Sequence, residues 1–365
     1  MKILHLASFT GNIGDNANHS GFRYWFEKTN GEADWTELEI REFYWGSRKF
    51  DQSFVNLANY FDLVVIGGGN YFELWPDSHT STSIDISFEI LEQINTKILF
   101  NALGCDDAQG IADIGKFQAF IDHIARSDQF LVSVRNDGSF ETLHGLLLEG
   151  CASTIHKVPD GGFFVDACFS HNPFETLIGV NLAGDMLNRR FHGRYDEFIE
   201  SFGQLVTRQL KEDGNKHFIF LPHIYSDIGI ISDVIDHIED KYRRSRITVA
   251  SYQTGGSACN NILNIYRACD LVLGNRFHAN VCPIGMGVPT IGLINYPQVE
   301  KLYKELSLPK MTVEINKPGF EHYLNESINF ALGSSIPIKK IYEGINFRLH
   351  KQMSDFQEVI RQWMS

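Results

Sequence analysis

The sequence predicts an α/β protein built from two doubly wound, Rossmann-like domains facing across a cleft. Three observations predict it. Short runs that are apolar throughout alternate with longer amphipathic segments, this alternation restarts in the second half, and a polar break, CFSHNPFE (168–175), separates the halves. Strands apolar on both faces belong to a parallel sheet covered by helices on each side.

The first half offers strand candidates at 2–8, 34–43, 62–67, 97–102, 129–135 and 155–159. Between them lie helix-like segments such as STSIDISFEILEQI (81–94) and DIGKFQAFIDHIARSD (113–128). The second half repeats the pattern with strands at 176–182, 217–222, 246–251, 270–274 and 289–295. The segment IYEGINFRLHKQMSDFQEVIRQWM has the periodicity of one or two closing helices that cross back onto the first domain. The expected boundaries are therefore 1–172, 173–340 and a closing 341–365.

Composition narrows the function. The chain has 365 residues, 43% hydrophobic and 21% charged, as in a globular domain pair. No apolar run approaches the roughly 20 residues that span a bilayer, and MKILHLASFTGNIGD reads as a first strand rather than a signal peptide. The expected location is cytoplasmic. Six scattered cysteines form no zinc-like cluster, so no metal is expected. The net charge of −13 argues against nucleic acid and anionic membrane as partners. An anionic ligand would need locally concentrated arginines.

In doubly wound sheets, ligands bind beyond the carboxyl ends of the strands. After the first strand, Gly11, Gly14 and Asp15 form a tight loop, with a helix expected to begin near Asn16 or Asn18. A helix N-terminus there would present free N–H groups to an anion or a sugar. After 62–67 come Gly67, Gly68, Gly69 and Asn70, and three successive glycines suit close approach of a ligand. Arg135 ends a strand. Asp160, in the turn PDGGFF (159–164), reads as structural through an Asx-turn. His223 follows the 217–222 strand, with Asp227 four residues later.

The sharpest signal is Asn275-Arg276-Phe277-His278, after the apolar run DLVLG. An arginine and a histidine at a buried strand end are costly unless something compensates them. Arg276 has a planar fork suited to carboxylate or phosphate, His278 carries protons near neutral pH, and Asn275 is placed to cap the next helix. The residues read as an anion site, against a salt bridge as the structural alternative.

Taken in order, these features resemble the polysaccharide pyruvyl transferases. The resemblance covers most of the chain: G-N-x-G-D (Gly11 to Asp15), the Gly-rich loop, S-V-R (Ser133 to Arg135), P-D-x-x-F (Pro159 to Phe163), R-x-H (Arg276, His278) and G-x-P (Gly287 to Pro289). It implies a GT-B-like fold and transfer of a pyruvyl group from phosphoenolpyruvate onto hydroxyls of a saccharide or lipid-linked glycan, forming a ketal. It further implies that Arg135 and Arg276 grip the donor, with His278 beside them. Asn275, Gly68, Gly69 and Asn16 complete the expected binding set; His278, Asp15 and His223 are the expected acid–base groups. No cofactor is needed beyond the donor. Two departures stand out: the family's lysine in a Y-D-P-K-like run is absent or displaced in Tyr296-Pro297-Gln298-Val299-Glu300-Lys301, and P-D-P is P-D-G. The rival readings are a GT-B glycosyltransferase, a nucleotide-sugar epimerase and a non-catalytic sugar-binding protein of the same fold.

Overall fold

A computed structural model describes residues 1–9, 12–44, 46–147, 152–165 and 176–364. Gly11, Cys151, Cys168, the polar break at 168–175 and the boundary expected at 172–173 lie outside them. The chain divides into two compact units. Unit 1 comprises Met1–Thr10, Asn18–Gly161 and Arg348–Ser365; unit 2 comprises Gly11–Ala17 and Gly162–Phe347.

Unit 1 contains β1 (Lys2–Ala7), β2 (Asp34–Glu39), β3 (Leu63–Gly67), β4 (Phe72–Glu73), β5 (Lys97–Leu103), β6 (Cys105–Asp106), β7 (Phe130–Arg135) and β8 (His156–Val158). Six form a parallel sheet in the order β2-β1-β3-β5-β7-β8, and β4 pairs with β6 as a parallel ribbon. Alternate residues feed two cores. Ile98, Phe100, Val132 and Val134 join Phe117 and Phe120 in one; Leu99, Ala102 and Leu131 join Phe22, Phe26, Phe356 and Ile360 in the other. This two-sided burial is why the strands are apolar throughout. At Ala102 the backbone turns left-handed (φ 48°) and the β5–β7 register shifts, so Leu103 returns to the face of Phe100.

Unit 2 contains β9 (Thr176–Asn181), β10 (Lys216–Phe220), β11 (Ile247–Val249), β12 (Leu271–Gly274), β13 (Thr290–Ile294) and β14 (Thr312–Glu314). They form a parallel sheet in the order β11-β10-β9-β12-β13-β14. Strand order reverses between β1 and β3 in unit 1 and between β9 and β12 in unit 2. These are the points where such sheets take ligands.

Eleven expected strands coincide with β1–β3, β5 and β7–β13 apart from their ends. β14 escapes a pattern search because only Val313 of its three residues is buried. The 34–43 run stops at Glu39, whose carboxylate accepts the N–H groups of Phe9 and Arg41, and Arg41–Tyr44 turns helical. Segment 81–94 is helical only over Phe88–Leu91. Upstream, Ser78 Oγ donates to the Thr82 carbonyl (2.8 Å), Thr80 Oγ1 to that of Ile84 (2.7 Å), and the His79 N–H to Asp85 (2.8 Å). Local side-chain bonds of this kind displace helical ones. The first helix spans Ile13–Asn30, three residues earlier than expected from Asn16, because Asn12 Oδ1 accepts the Gly14 N–H at 3.0 Å. The last is one helix, Ser335–Met364. Among the described residues no helix is long and apolar enough to cross a membrane.

Phe356 and Ile360 are buried in the second core of unit 1. Ile360→Ala should therefore lower unfolding free energy by about 2–5 kcal/mol, read as a lower urea midpoint at unchanged slope. Wild-type stability in this variant would remove the C-terminal helix from the core.

Candidate functional site

The strand ends of unit 2 are laced together by asparagines. Asn181 Oδ1 accepts the Arg276 N–H (2.9 Å) while its Nδ2 donates to the Leu221 carbonyl (2.9 Å). Asn275 Oδ1 accepts the Ala183 N–H (2.9 Å), and its Nδ2 donates to the Leu293 carbonyl and to Asn295 Oδ1, both at 2.8 Å. Asn275 thus ties β9, β12 and β13, and its buried amide is spent on the chain rather than held open for substrate. Nor does it cap the next helix, His278–Gly285, whose N-cap position is Phe277.

Arg276 does grip a carboxylate, and it is the chain's own. Its Nε donates to Asp227 Oδ2 (2.9 Å), and Nη2 donates both to Asp227 Oδ1 and to Asp185 Oδ1 (2.6 Å). Asp227 also accepts the N–H groups of His223 (2.9 Å), Ile224 (3.2 Å) and Gly184 (3.0 Å). Burial pushes the Asp227 carboxyl up; the Arg276 fork and these amides outweigh it and hold it below the usual carboxylate range.

A second arginine, absent from the sequence reading, shares Asp185. Arg190 Nη2 lies 3.4 and 3.5 Å from its two carboxylate oxygens, Nη1 donates to Asn295 Oδ1 (3.2 Å), Nε donates to the Asp185 carbonyl (3.0 Å), and the guanidinium sits 5.1 Å over the Tyr296 ring. Side-chain exposure separates the four charges: 0% for Asp227, 9% for Arg276, 7% for Arg190 and 31% for Asp185.

His278 is buried at the start of its helix. A Cβ added at Gly14 would lie 2.1 Å from His278 Nδ1 and 2.2 Å from Cγ. Only glycine lets the first turn of the Ile13–Asn30 helix rest against this imidazole. Half-buried Asp15 and buried Asn16 share that turn, so these expected residues do come together with His278. His223 is also buried, with Nε2 2.6 Å from the Tyr266 hydroxyl. Burial, which Asp227 opposes and the nearby Arg276 and His278 reinforce, lowers its pKa to about 3. Such an imidazole stays neutral and is too weak a base to take a hydroxyl proton near pH 7. That corrects its expected role.

Unit 1 holds the remaining expected residues. Arg135 is buried, with Nε donating to Asp137 Oδ2 (2.6 Å) and Nη1 3.9 Å from Asp160 Oδ2. Asp160 Oδ2 accepts from Asn18 Nδ2 (2.6 Å), and its N–H donates to Asn136 Oδ1 (3.1 Å). The glycine loop is approached by the chain itself. A Cβ at Gly68, where φ is 85°, would lie 2.4 Å from His19 Nδ1; at Gly69 it would lie 2.4 Å from the Tyr71 ring. Gly68 and Gly69 are therefore explained by internal packing, a correction to the ligand-approach reading. Next to them, the β4–β6 register sets Glu73 beside Asp106. Ser83 Oγ donates to Glu73 (2.6 Å) and Asn70 Nδ2 to Asp106 (3.4 Å). Burial, reinforced by the Asp106 charge, raises the Glu73 carboxyl above its usual range. The sequence shows this pair only as two unremarkable acids 33 residues apart, in FELW and GCDD.

The architecture has many counterparts among sugar-active enzymes. The chain is similar to a proposed UDP-N-acetylglucosamine 2-epimerase from Listeria monocytogenes (11% identity, TM-score 0.61, covering 99% of this chain and 97% of that one). It is similar to a trehalose-6-phosphate synthase (9%, 0.60, 100% and 99%) and to a glycosyltransferase from Rickettsia africae (12%, 0.55, 99% and 97%). These likenesses define the class by fold alone: a GT-B-like α/β protein. No curated protein matches the chain. The family model for polysaccharide pyruvyl transferase matches residues 12–296, and the chain belongs to that family.

His223 carries a pH signature. With a folded pKa of about 3 against about 6.5 when unfolded, only the unfolded chain takes up its proton in that window. Stability should therefore fall as pH drops below about 6.5, at up to about 1.4 kcal/mol per pH unit from this group. His223→Gln should remove that slope in urea titrations between pH 7 and pH 4. Parallel profiles for the two proteins would mean that His223 titrates normally in the fold.

Proposed function

We propose that this protein transfers a pyruvyl group from phosphoenolpyruvate onto two hydroxyls of a saccharide or lipid-linked glycan, forming a ketal. Family membership over residues 12–296 supports the reaction class. The observation that carries the assignment of roles is the Gly14–His278 contact, which seats the imidazole against a helix N-terminus within two residues of Arg276.

The reaction needs protonation of the donor's methylene carbon, attack of one hydroxyl oxygen on the adjacent carbon, rupture of that carbon's bond to the phosphate oxygen, and ring closure by the second hydroxyl. Both hydroxyl protons must be accepted, and the departing phosphate carries charge that nearby cations stabilise. In this reading His278 delivers the proton or contacts the leaving phosphate. Asp15, half-buried one residue from Gly14, accepts the first hydroxyl proton, and the second leaves on the departing phosphate, so the protons balance. Arg276 is anchored by Asp227 and contributes fixed positive charge. For Arg135, a donor contact is what family membership implies, and Arg135→Lys should weaken the thermal stabilisation by phosphoenolpyruvate.

The first test is thermal stabilisation of the purified protein by phosphoenolpyruvate against UDP- and GDP-sugars, followed by phosphate release with a glycan panel. Stabilisation by a nucleotide sugar and not by phosphoenolpyruvate would replace this reading with a glycosyltransferase or epimerase. Within the reaction, His278→Gln should lower kcat by about 10²–10⁴-fold with little change in donor KM. Gly14→Ala, whose Cβ would clash with the His278 Cβ as well as its ring and so displaces the whole side chain, should show a loss of the same kind in protein that passes a folding check. Equal turnover at saturating donor in His278→Gln would take His278 out of the chemistry.

A further inference from the structure

We propose that Arg190 and Arg276 form a ready-made seat for a small dianion at the β9–β12 strand ends, and that the Asp185 carboxylate occupies this seat in the ligand-free chain. The proposal rests on the reading above for the identity of the occupant, the phosphate of the donor.

Both guanidinium groups have anchors that do not involve the Asp185 carboxylate. Arg276 is held through Nε and Nη2 by Asp227. Arg190 is held by Asn295 at Nη1, by the Asp185 main-chain carbonyl at Nε, and by the Tyr296 ring. If the Asp185 side chain swings away, neither arginine loses its place. What remains is two buried cations against one buried anion, at the point in the sheet where ligands bind. Asp185 is the partner fitted to leave. It is the most exposed of the four charges, it follows the end of β9 in an irregular stretch, and the next residue, Met186, is left-handed (φ 52°). Its oxygens mark where a ligand's oxygens would go, 2.6 Å from Arg276 Nη2 and 3.4 Å from Arg190 Nη2. A phosphate bears more charge and more acceptor oxygens than one carboxylate and makes stronger charge-assisted bonds to two arginines. Donor binding is then an exchange of anions, with Asp185 the internal competitor.

Calorimetric titration of the full chain with inorganic phosphate, and separately with phosphoenolpyruvate, tests this. Asp185→Asn removes the competing charge and should tighten both by about tenfold or more, the scale of one charge-assisted contact. Asp185→Ala should agree, guarding against an effect peculiar to the amide. Adding Arg190→Gln to Asp185→Asn should cancel the gain. Unchanged or weaker phosphate binding in both folded Asp185 variants would overturn the proposal, as would a gain that survives Arg190→Gln. The two readings fail separately. Tighter phosphate binding without turnover of phosphoenolpyruvate in wild type keeps the seat and removes pyruvyl transfer. Turnover with unchanged affinities in the Asp185 variants does the reverse.

Discussion

The buried pair of Asp227 and Arg276 is the interaction on which the unit 2 site depends. Taking both charges out of water is expensive, and the cost is met only because each is densely partnered. Asp227 collects three main-chain N–H groups besides the guanidinium, so one carboxylate fixes the loop after β9, the loop after β10 and the arginine after β12. Removing either partner would strand the other in the core, a loss of about 3–5 kcal/mol. An alanine at Arg276 therefore confounds binding with folding, whereas changes at Asp185 or Arg190 act where solvent or a second anchor softens the loss.

Sheet architecture was legible because a parallel sheet buried on both faces imposes continuous apolar runs, and these runs are in the sequence. The strand-end rule then drew attention to both switch points, Arg276 and His278 at one and Gly68 and Gly69 at the other. Partner identity was not legible. Asp185 and Arg190 stand in the unpatterned stretch LAGDMLNRR, and their meeting with Arg276 is made by the β9–β12 pairing, which joins residues about 90 apart. A single arginine therefore reads as an open fork when the fold has already closed it on a carboxylate. The same blindness made a triple glycine look like a place for ligand, since the intruding His19 and Tyr71 side chains are not deducible from the loop itself.

Unit 1 shows the converse case, in which a short element sets up chemistry without a motif. Two residues of β4 beside two of β6 turn Phe72 and Cys105 into the core and place Glu73 and Asp106 side by side. Burial first, and then the like charge in register, disfavour ionisation of Glu73 and raise its carboxyl. Asn70 and Arg135 meet around Gly104, where an added Cβ would lie 2.3 Å from the amide oxygen and 2.7 Å from the guanidinium. Packing and electrostatics at these strand ends are thus a single arrangement, and a glycine is what permits it.

The assignment of residues 348–365 to unit 1 bears on how the chain is made. Domains generally mature in the order they are synthesised, but here the core around Ile3, Phe22 and Phe26 lacks Phe356 and Ile360 until some 330 further residues have been added. The strands of unit 1 are complete by Val158, but the core on one face of their sheet is closed only after the β9–β14 sheet has been made. During synthesis that face waits with apolar surface uncovered, while the β9–β14 sheet already has the strands it needs. A nascent chain stalled before residue 348 would offer that face to chaperones, and the C-terminal helix would act as the final step that makes unit 1 native.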